Sequence, residues 1–472
     1  MEFDKDLRSR QEVRQLVEQA EQAFCQLRRL PQERLDAITK AISEAGLRHA
    51  EELGRMACEE TGFGNAKDKA EKNRFAAKQV YEAIRDMKTV GILKQEQGLW
   101  EIGVPVGVIA GIVPSTNPTS TVIYKAMIAI KAGSPIVISP HPGALRCTLR
   151  AAEVVAEAAY QAGCPRGAIA CLPTPTMDAV QELMRHPHVR LILATGGGAM
   201  VKAAYSSGKP AIGVGAGNGP AYIHKSADIP KAVADIIRSK TFDNGTICAS
   251  EQSVIVEECC AQQVKEEFRK QNAYLLSVAE AEKLAKFLQR PNGTMNPKIV
   301  GKTAFEIASM ASISVPKDTS VLLAHETETG PTRPYAHEKL CPILALFVER
   351  DEEAILKRVV EVLIGEGAGH TFAIHATDEG VIRRFALEVP VSRFLVNTPA
   401  SLGGIGASAP LFPALTLGCG AVGGSSSSNN IGPLDLINVR RVAWGKAHAP
   451  AESDLIELLT QEILKKLRRN EQ

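Results

Sequence analysis

From residue 8 to residue 88, apolar positions recur every three or four residues among Glu, Lys, Arg and Ala. That spacing predicts three amphipathic helices. Past Gly98 the pattern changes. A short extended segment at 98–103 leads into an apolar run at 106–113, and similar runs follow at 135–139, 167–172, 190–195 and 210–214. Helical stretches at 119–132, 143–163, 175–185 and 198–207 separate them. Short buried strands alternating with helices of this length predict parallel βαβ crossovers, and so a doubly wound α/β sheet.

A second α/β block begins near Ser226. It reads as a helix at 228–240, a strand at 252–257 and helices at 261–271 and 279–289. Strands near 321–324, 343–348 and 371–375 follow, with a helix at 351–364. Two such units predict a site in the crevice between them. Residues 401–433 are dense in Gly, Ser and Asn yet keep Leu411, Phe412, Leu415 and Leu417, which favours a loop packed over that crevice. A strand is predicted at 436–443. An amphipathic helix is predicted at 453–468, with Ser453 as N-cap and Leu455, Leu458, Leu459, Ile463 and Leu467 in one stripe.

Composition narrows the function classes. The chain has 472 residues, 45% hydrophobic and 23% charged, with a formal net charge of +2. That is ordinary for a globular enzyme and gives no basic surface for nucleic acid. No apolar stretch approaches the roughly 20 residues of a membrane span, and residues 1–14 have no apolar signal core. The ten cysteines form no C-x-x-C pair and no zinc-spaced His/Cys cluster, so no metal is expected. Unpatterned cysteines in a chain this long read as free thiols in a reducing, cytoplasmic compartment.

Most of those thiols should be small core hydrophobes. Cys248 differs in setting: it follows the turn-forming Asn244-Gly245 and precedes the strand at 252–257, where a loop can present a thiol to a cleft. Asn117, in Pro114-Ser115-Thr116-Asn117-Pro118, reads either as a turn residue or as an amide donor to an oxyanion. Two glycine-rich segments compete for a dinucleotide. Gly213-Val214-Gly215-Ala216-Gly217 is followed by Pro220 and an extended run, which argues against a phosphate site. Thr195-Gly196-Gly197-Gly198 follows a strand and opens a helix, so its N–H groups could face a pyrophosphate, although many such turns bind nothing.

Several long motifs together carry a resemblance. TNPTS at 116–120, TGGGAMVKAAYSSGKPAIGVGAGN at 195–218, KTFDNGTICASEQS at 240–253, HEKLCP at 337–342 and TLGCGAVGG at 416–424 stand in order along the chain. They resemble the aldehyde dehydrogenase superfamily, in its coenzyme-A-acylating branch, over about residues 8–445. The resemblance implies two doubly wound α/β domains with a small β oligomerisation flap. An NAD(H)- and CoA-binding domain would span 1–225, including a flap strand at 98–103. A catalytic cysteine domain would span 226–425, with the rest of the flap at 426–450 and the C-terminal helix at 451–472.

The resemblance also implies roles. Cys248 would be the nucleophile, and Asn117 with the Cys248 N–H would hold the oxyanion. Thr195, Gly196, Gly197 and Gly198 would border the NAD pyrophosphate, with Ser115 and Thr116 beside them. Ser139 and Pro140 would meet the adenosine end, where uncharged Ser139 favours NAD over NADP. Glu338 would contact the nicotinamide ribose. His370 sits in a motif similar to one near the active site of the acylating branch, and its other reading is a supporting hydrogen bond. Cys419 would either line the channel or pack a tight loop.

Val214 and Gly215 would also border the cofactor, and Val214 is where the chain departs from the family. Hydrolytic members carry a glutamate there to activate water; an apolar side chain cannot abstract a proton, help worth about 10²–10⁴ in rate. Coenzyme A, a better nucleophile than water, fits this chain. The implied reaction joins an aldehyde, CoA and NAD to give an acyl-CoA and NADH in a homodimer or homotetramer. Alternatives are a phosphate-dependent semialdehyde dehydrogenase, or an assembly component. The latter rests on the C-terminal helix, which resembles the encapsulation peptides of bacterial microcompartment enzymes.

Overall fold

The computed structural model describes residues 4–290 and 293–445, with residue 456 and residues 459–461 beyond them. The helix expected at 453–468 therefore lies almost wholly outside the described residues. Three sheets organise the rest.

The first sheet has five parallel strands in the order β5-β4-β3-β6-β7. These are β3 (Val108–Ile112), β4 (Ile136–Ser139), β5 (Ile169–Cys171), β6 (Val189–Thr195) and β7 (Ala211–Val214). The order reverses between β3 and β6, leaving a crevice at their carboxyl ends, where open parallel sheets bind ligands. The helix Pro118–Lys131 packs over that point with all fourteen residues buried, hence its apolar character on every side. Its Lys125 Nζ donates to the Ile112 and Leu193 carbonyls at 2.6 and 2.8 Å, tying the helix to the two strands that flank the crevice.

The second sheet has seven parallel strands in the order β10-β11-β12-β9-β8-β13-β14. Its members are β8 (Gly219–Ile223), β9 (Glu251–Glu257), β10 (Tyr274–Leu275), β11 (Leu322–His325), β12 (Ile343–Glu349), β13 (Gly369–His375) and β14 (Val391–Val396). Because β8 pairs with β9 and β13, the change of sheet falls at 215–218, a few residues ahead of the expected boundary at 225/226. β14 pairs along β13 at the sheet edge and was not foreseen from the sequence.

The third sheet is antiparallel: β1 (Gly91–Glu96), β2 (Leu99–Pro105) and β15 (Ile437–Ala443). β15 pairs with β2 along its whole length, joining the two segments expected to form a flap; β1 adds a third strand. The N-terminal region holds more helices than the three expected, at Lys5–Leu27, Gln32–Arg48, Ala50–Thr61 and Ala66–Arg74. The last continues through a π-helical turn, Phe75–Gln79, to Ile84. Among the described residues no helix is long and apolar enough to cross a membrane.

Candidate active site

A cavity of about 400 Å³ opens where the two parallel sheets meet. Its wall is built from the segments after β3 and β6, the loop between β7 and β8, and the turn before β9. Ser115, Thr116, Asn117, Thr195, Gly196, Gly197, Val214, Gly215, Cys248 and Glu338 all line it. Residues 132 apart in sequence (Thr116 and Cys248) are neighbours only because both sheets end here. Ile405, Leu415 and Leu417 close one side, so the segment at 401–433 does pack over the crevice. A second cavity of about 290 Å³ adjoins it through Pro114, His141 and the glycine turn, and is lined by Ser139 and Pro140.

Cys248 lies in the turn before β9, half-buried and facing the cavity. Burial pushes its thiol up to about 12; nearby Glu338 pushes the same way, and Arg393 opposes both. The Cys248 N–H is directed to no other residue's acceptor among the described residues. Arg393 is itself buried, on β14, held by long contacts to the Thr371 Oγ1, Asn430 Oδ1 and Gly369 oxygen at 3.3–3.5 Å. It makes no ion pair among the described residues.

The Asn117 amide is fixed by a residue outside the sequence motifs. Lys72 Nζ donates to Asn117 Oδ1 at 2.6 Å, and a lysine can only donate, so the amide NH₂ must point away from Lys72. That NH₂ donates to the Thr246 carbonyl at 3.1 Å and, at 3.2 Å, to Thr116 Oγ1. The longer bond is the one an oxyanion could displace. Lys72 and Lys69 both donate to Asp243 Oδ2, at 2.5 and 3.0 Å, and all three side chains are buried. Burial pulls Lys72 down to about 8. Burial would raise the Asp243 carboxyl, but the two lysines outweigh it and hold it below the usual range.

Asp243 adopts φ of 48° and Asn244 of 50°, a left-handed turn that Asp and Asn tolerate better than other side chains. The turn aims the carboxylate back into the lysines. A Cβ at Gly64 would stand 1.7 Å from Asp243 Oδ1, so glycine there makes room for it. The signal for Lys69 and Lys72 was present but ambiguous. AKDKAEKNR looks like a solvated surface helix, and only the three-residue spacing puts both lysines on one face.

Glu338 Oε1 accepts the Gly217 N–H at 2.9 Å. Burial, chiefly, raises its carboxyl to about 8. His370 does not line the cavity. It is fully buried behind the 215–218 loop, where a Cβ on Gly217 would come within 3.1 Å of its Cε1 and 1.9 Å of the Cys248 carbonyl. Its Nδ1 pairs with Thr371 Oγ1 at 2.9 Å, its Nε2 has no partner, and burial keeps it neutral. Cys419 is likewise buried outside the cavity wall, with its thiol on the Leu417 carbonyl, in keeping with tight loop packing.

A dinucleotide fits the paired cavities. Gly197 caps the helix Gly198–Tyr205, so free N–H groups face the joint between them. A Cβ at Gly197 or Gly198 would meet nothing within 4 Å. Gly198 opens that helix and lines neither cavity. At the far end Ser139 Oγ is buried without a partner, an orphan that a ligand hydroxyl would satisfy.

Comparison with known proteins agrees with this arrangement. Residues 6–316 match the model of the aldehyde dehydrogenase family. Over 439 residues the chain is 44% identical to the bifunctional aldehyde-alcohol dehydrogenase of Escherichia coli, covering 92% of this chain and 49% of that protein. The chain thus spans about half the length of the curated bifunctional relatives it matches. An acetylating aldehyde dehydrogenase from Geobacillus thermoglucosidasius superposes with a TM-score of 0.93 at 49% identity, covering 95% of this chain and all of that one. A propionaldehyde dehydrogenase from Rhodopseudomonas palustris, solved with bound CoA and an acylated cysteine, superposes at 0.83 with 28% identity, covering 92% and 97%.

Proposed function

The chain belongs to the aldehyde dehydrogenase family, and from that premise we propose that it oxidises a short-chain aldehyde with NAD and passes the acyl group to coenzyme A. One observation carries the second half: Val214 lines the same cavity as Cys248, and no carboxylate replaces it as a base for water. Glu338, the one acid among the described residues lining that wall, is tied to the Gly217 N–H, and burial raises its carboxyl to about 8, so it is a poor base for water.

Cys248 Sγ attacks the aldehyde carbon to form a thiohemiacetal. The charge that develops on oxygen is met by the Asn117 NH₂ and the Cys248 N–H, donors already oriented before substrate arrives. Lys72 contributes by holding the amide in the right sense, so it positions and does not touch the reacting atoms. Thr195, Gly196, Gly197 and Ser139 would hold the dinucleotide, with Glu338 toward its nicotinamide ribose. A nicotinamide held there would supply the hydride acceptor for oxidation of the Cys248 thiohemiacetal to a thioester. The apolar Val214 keeps water unactivated while the thiol of coenzyme A attacks that thioester, which frees Cys248.

NADH formation followed with acetaldehyde or propanal tests this reading. Omitting CoA should reduce steady-state turnover by about 10² or more, and inorganic phosphate should not restore it. CoA-independent turnover at the full rate would reject acyl transfer to CoA. The names of the relatives support this chemistry, and a homodimer built on the three-stranded sheet is part of the same reading.

A further inference from the structure

Glu338 lines the cavity with one oxygen to spare: its Oε1 accepts the Gly217 N–H, while Oε2 has no partner among the described residues. What fixes the main chain beneath that carboxyl lies outside the cavity wall. The Glu338 N–H donates to Glu366 Oε2 at 2.7 Å. Glu366 leaves the helix Glu352–Gly365 with extended backbone, at φ −162° and ψ 142°. A helix C-terminus favours cations, so a carboxylate there stands against the dipole and needs other donors.

His337 is the second donor. Its Nε2 faces the Gly330 carbonyl at 3.1 Å, and its Nδ1 faces Glu366 Oε2 at 3.3 Å. Both partners can only accept, so the ring satisfies them together only as the imidazolium. Glu366 raises the His337 pKa, in keeping with that. Burial would raise the Glu366 carboxyl, but His337 and the Glu338 N–H outweigh it and hold it below the usual range.

The segment needs such holds. Leu340, also in the cavity wall, adopts φ of 48°, a left-handed conformation unfavourable for leucine. Strain of this kind persists only where the surroundings over-determine the chain. Gln252 Oε1 accepts the Lys339 N–H at 3.1 Å, and Lys339 Nζ donates to the Tyr335 and His337 carbonyls, each at 2.7 Å. Those bonds fix the flanking residues. Among the described residues Glu366 alone takes the N–H of Glu338 itself. Its neighbour Gly367 lies against the 215–218 loop that holds the Glu338 side chain: a Cβ there would stand 2.6 Å from the Asn218 nitrogen.

We propose that Glu366 is a positioning residue for the dinucleotide, holding the Glu338 main chain so that the free Oε2 stays turned to a ribose hydroxyl of NAD. This rests on the reading that NAD occupies the paired cavities. Glu366 lines neither of them, so it acts through Glu338.

Fluorescence titration of the full chain with NADH tests this without turnover. Glu366→Asp keeps the charge but withdraws the oxygen from the Glu338 N–H, and should weaken NADH binding about tenfold or more, the cost of misplacing a binding group. Glu366→Gln keeps an oxygen at full reach and should stay within about threefold of the wild type. Placed on Glu338→Ala, Glu366→Asp should add less than about twofold, because the residue it acts through is gone. Circular dichroism and iodoacetamide labelling of Cys248 report that each variant is folded. Wild-type affinity in Glu366→Asp would overturn the proposal. So would weaker binding by Glu366→Gln than by Glu366→Asp, which is the mark of a purely electrostatic role, or full additivity of the two losses. No NADH binding by the wild type would overturn the cofactor reading itself, and this inference with it.

Discussion

Two buried lysines sharing one buried carboxylate is a costly arrangement, and its position explains why it is kept. Lys72 spends one hydrogen bond on Asp243 and another on Asn117, so the ion cluster sets the orientation of the oxyanion donor. Removing the shared anion leaves two desolvated cations facing each other. Asp243→Asn should therefore cost about 3–5 kcal/mol of stability, read by urea denaturation; a loss below about 1 kcal/mol would mean the lysines find other partners. Cys248 carries a different expectation. Its thiol is raised to about 12 by burial, so the nucleophilic thiolate fraction in the free enzyme is small at neutral pH and grows about tenfold per pH unit. Mass spectrometry of iodoacetamide labelling at Cys248 should show a rate still climbing at pH 10, with exposed Cys25 and Cys259 as internal controls. A plateau below pH 9 would show that the thiol is activated before any ligand binds.

The loop at 215–218 is the element where the two parallel sheets trade strands, and it is also part of the cavity wall. It can run beside Cys248 because Gly217 has no side chain: a Cβ would overlap the Cys248 carbonyl at 1.9 Å, a backbone atom that cannot rotate away. Gly217→Ala should displace the Cys248 turn and lower kcat by about tenfold or more, since small misplacements of reacting groups cost that much. The fold should survive, because β7 and β8 keep their pairings on either side. Circular dichroism and steady-state kinetics together check it, and full activity would show that the turn can shift without consequence.

For the whole molecule, the three-stranded sheet is the one part that serves neither parallel sheet. β15 closes it at Ala443, and the Trp444 N–H still reaches the Gly98 carbonyl at 3.1 Å. The Trp100 and Trp444 rings meet edge to face at 5.0 Å. A chain ending at residue 450 keeps every described strand, so it should retain CoA-dependent activity and thermal stability. Loss of folding on that truncation would count against an addressing role for the C-terminal segment.

How much of this was legible in the sequence depends on how local the cause was. The alternation of apolar runs and helical stretches located most strands of both parallel sheets, because burial on both faces dictates continuous apolar segments. Thr195-Gly196-Gly197-Gly198 was readable as a helix-opening turn because that depends on residue type at one place, whereas Val214 read as a missing base only through the family resemblance. β14 was missed, as Val391–Val396 at a sheet edge mixes Ser and Arg into the run. Only the tertiary structure decided that Lys69, Lys72 and Asp243 govern Asn117, because their charges look like solvated surface until two distant segments bury them together. The same holds for His370, for which motif reading left a place at the site and a supporting hydrogen bond both open, and which packing puts behind the wall, against Gly217. Pairing across 174 residues, as between Lys69 and Asp243, leaves no periodic trace in the chain.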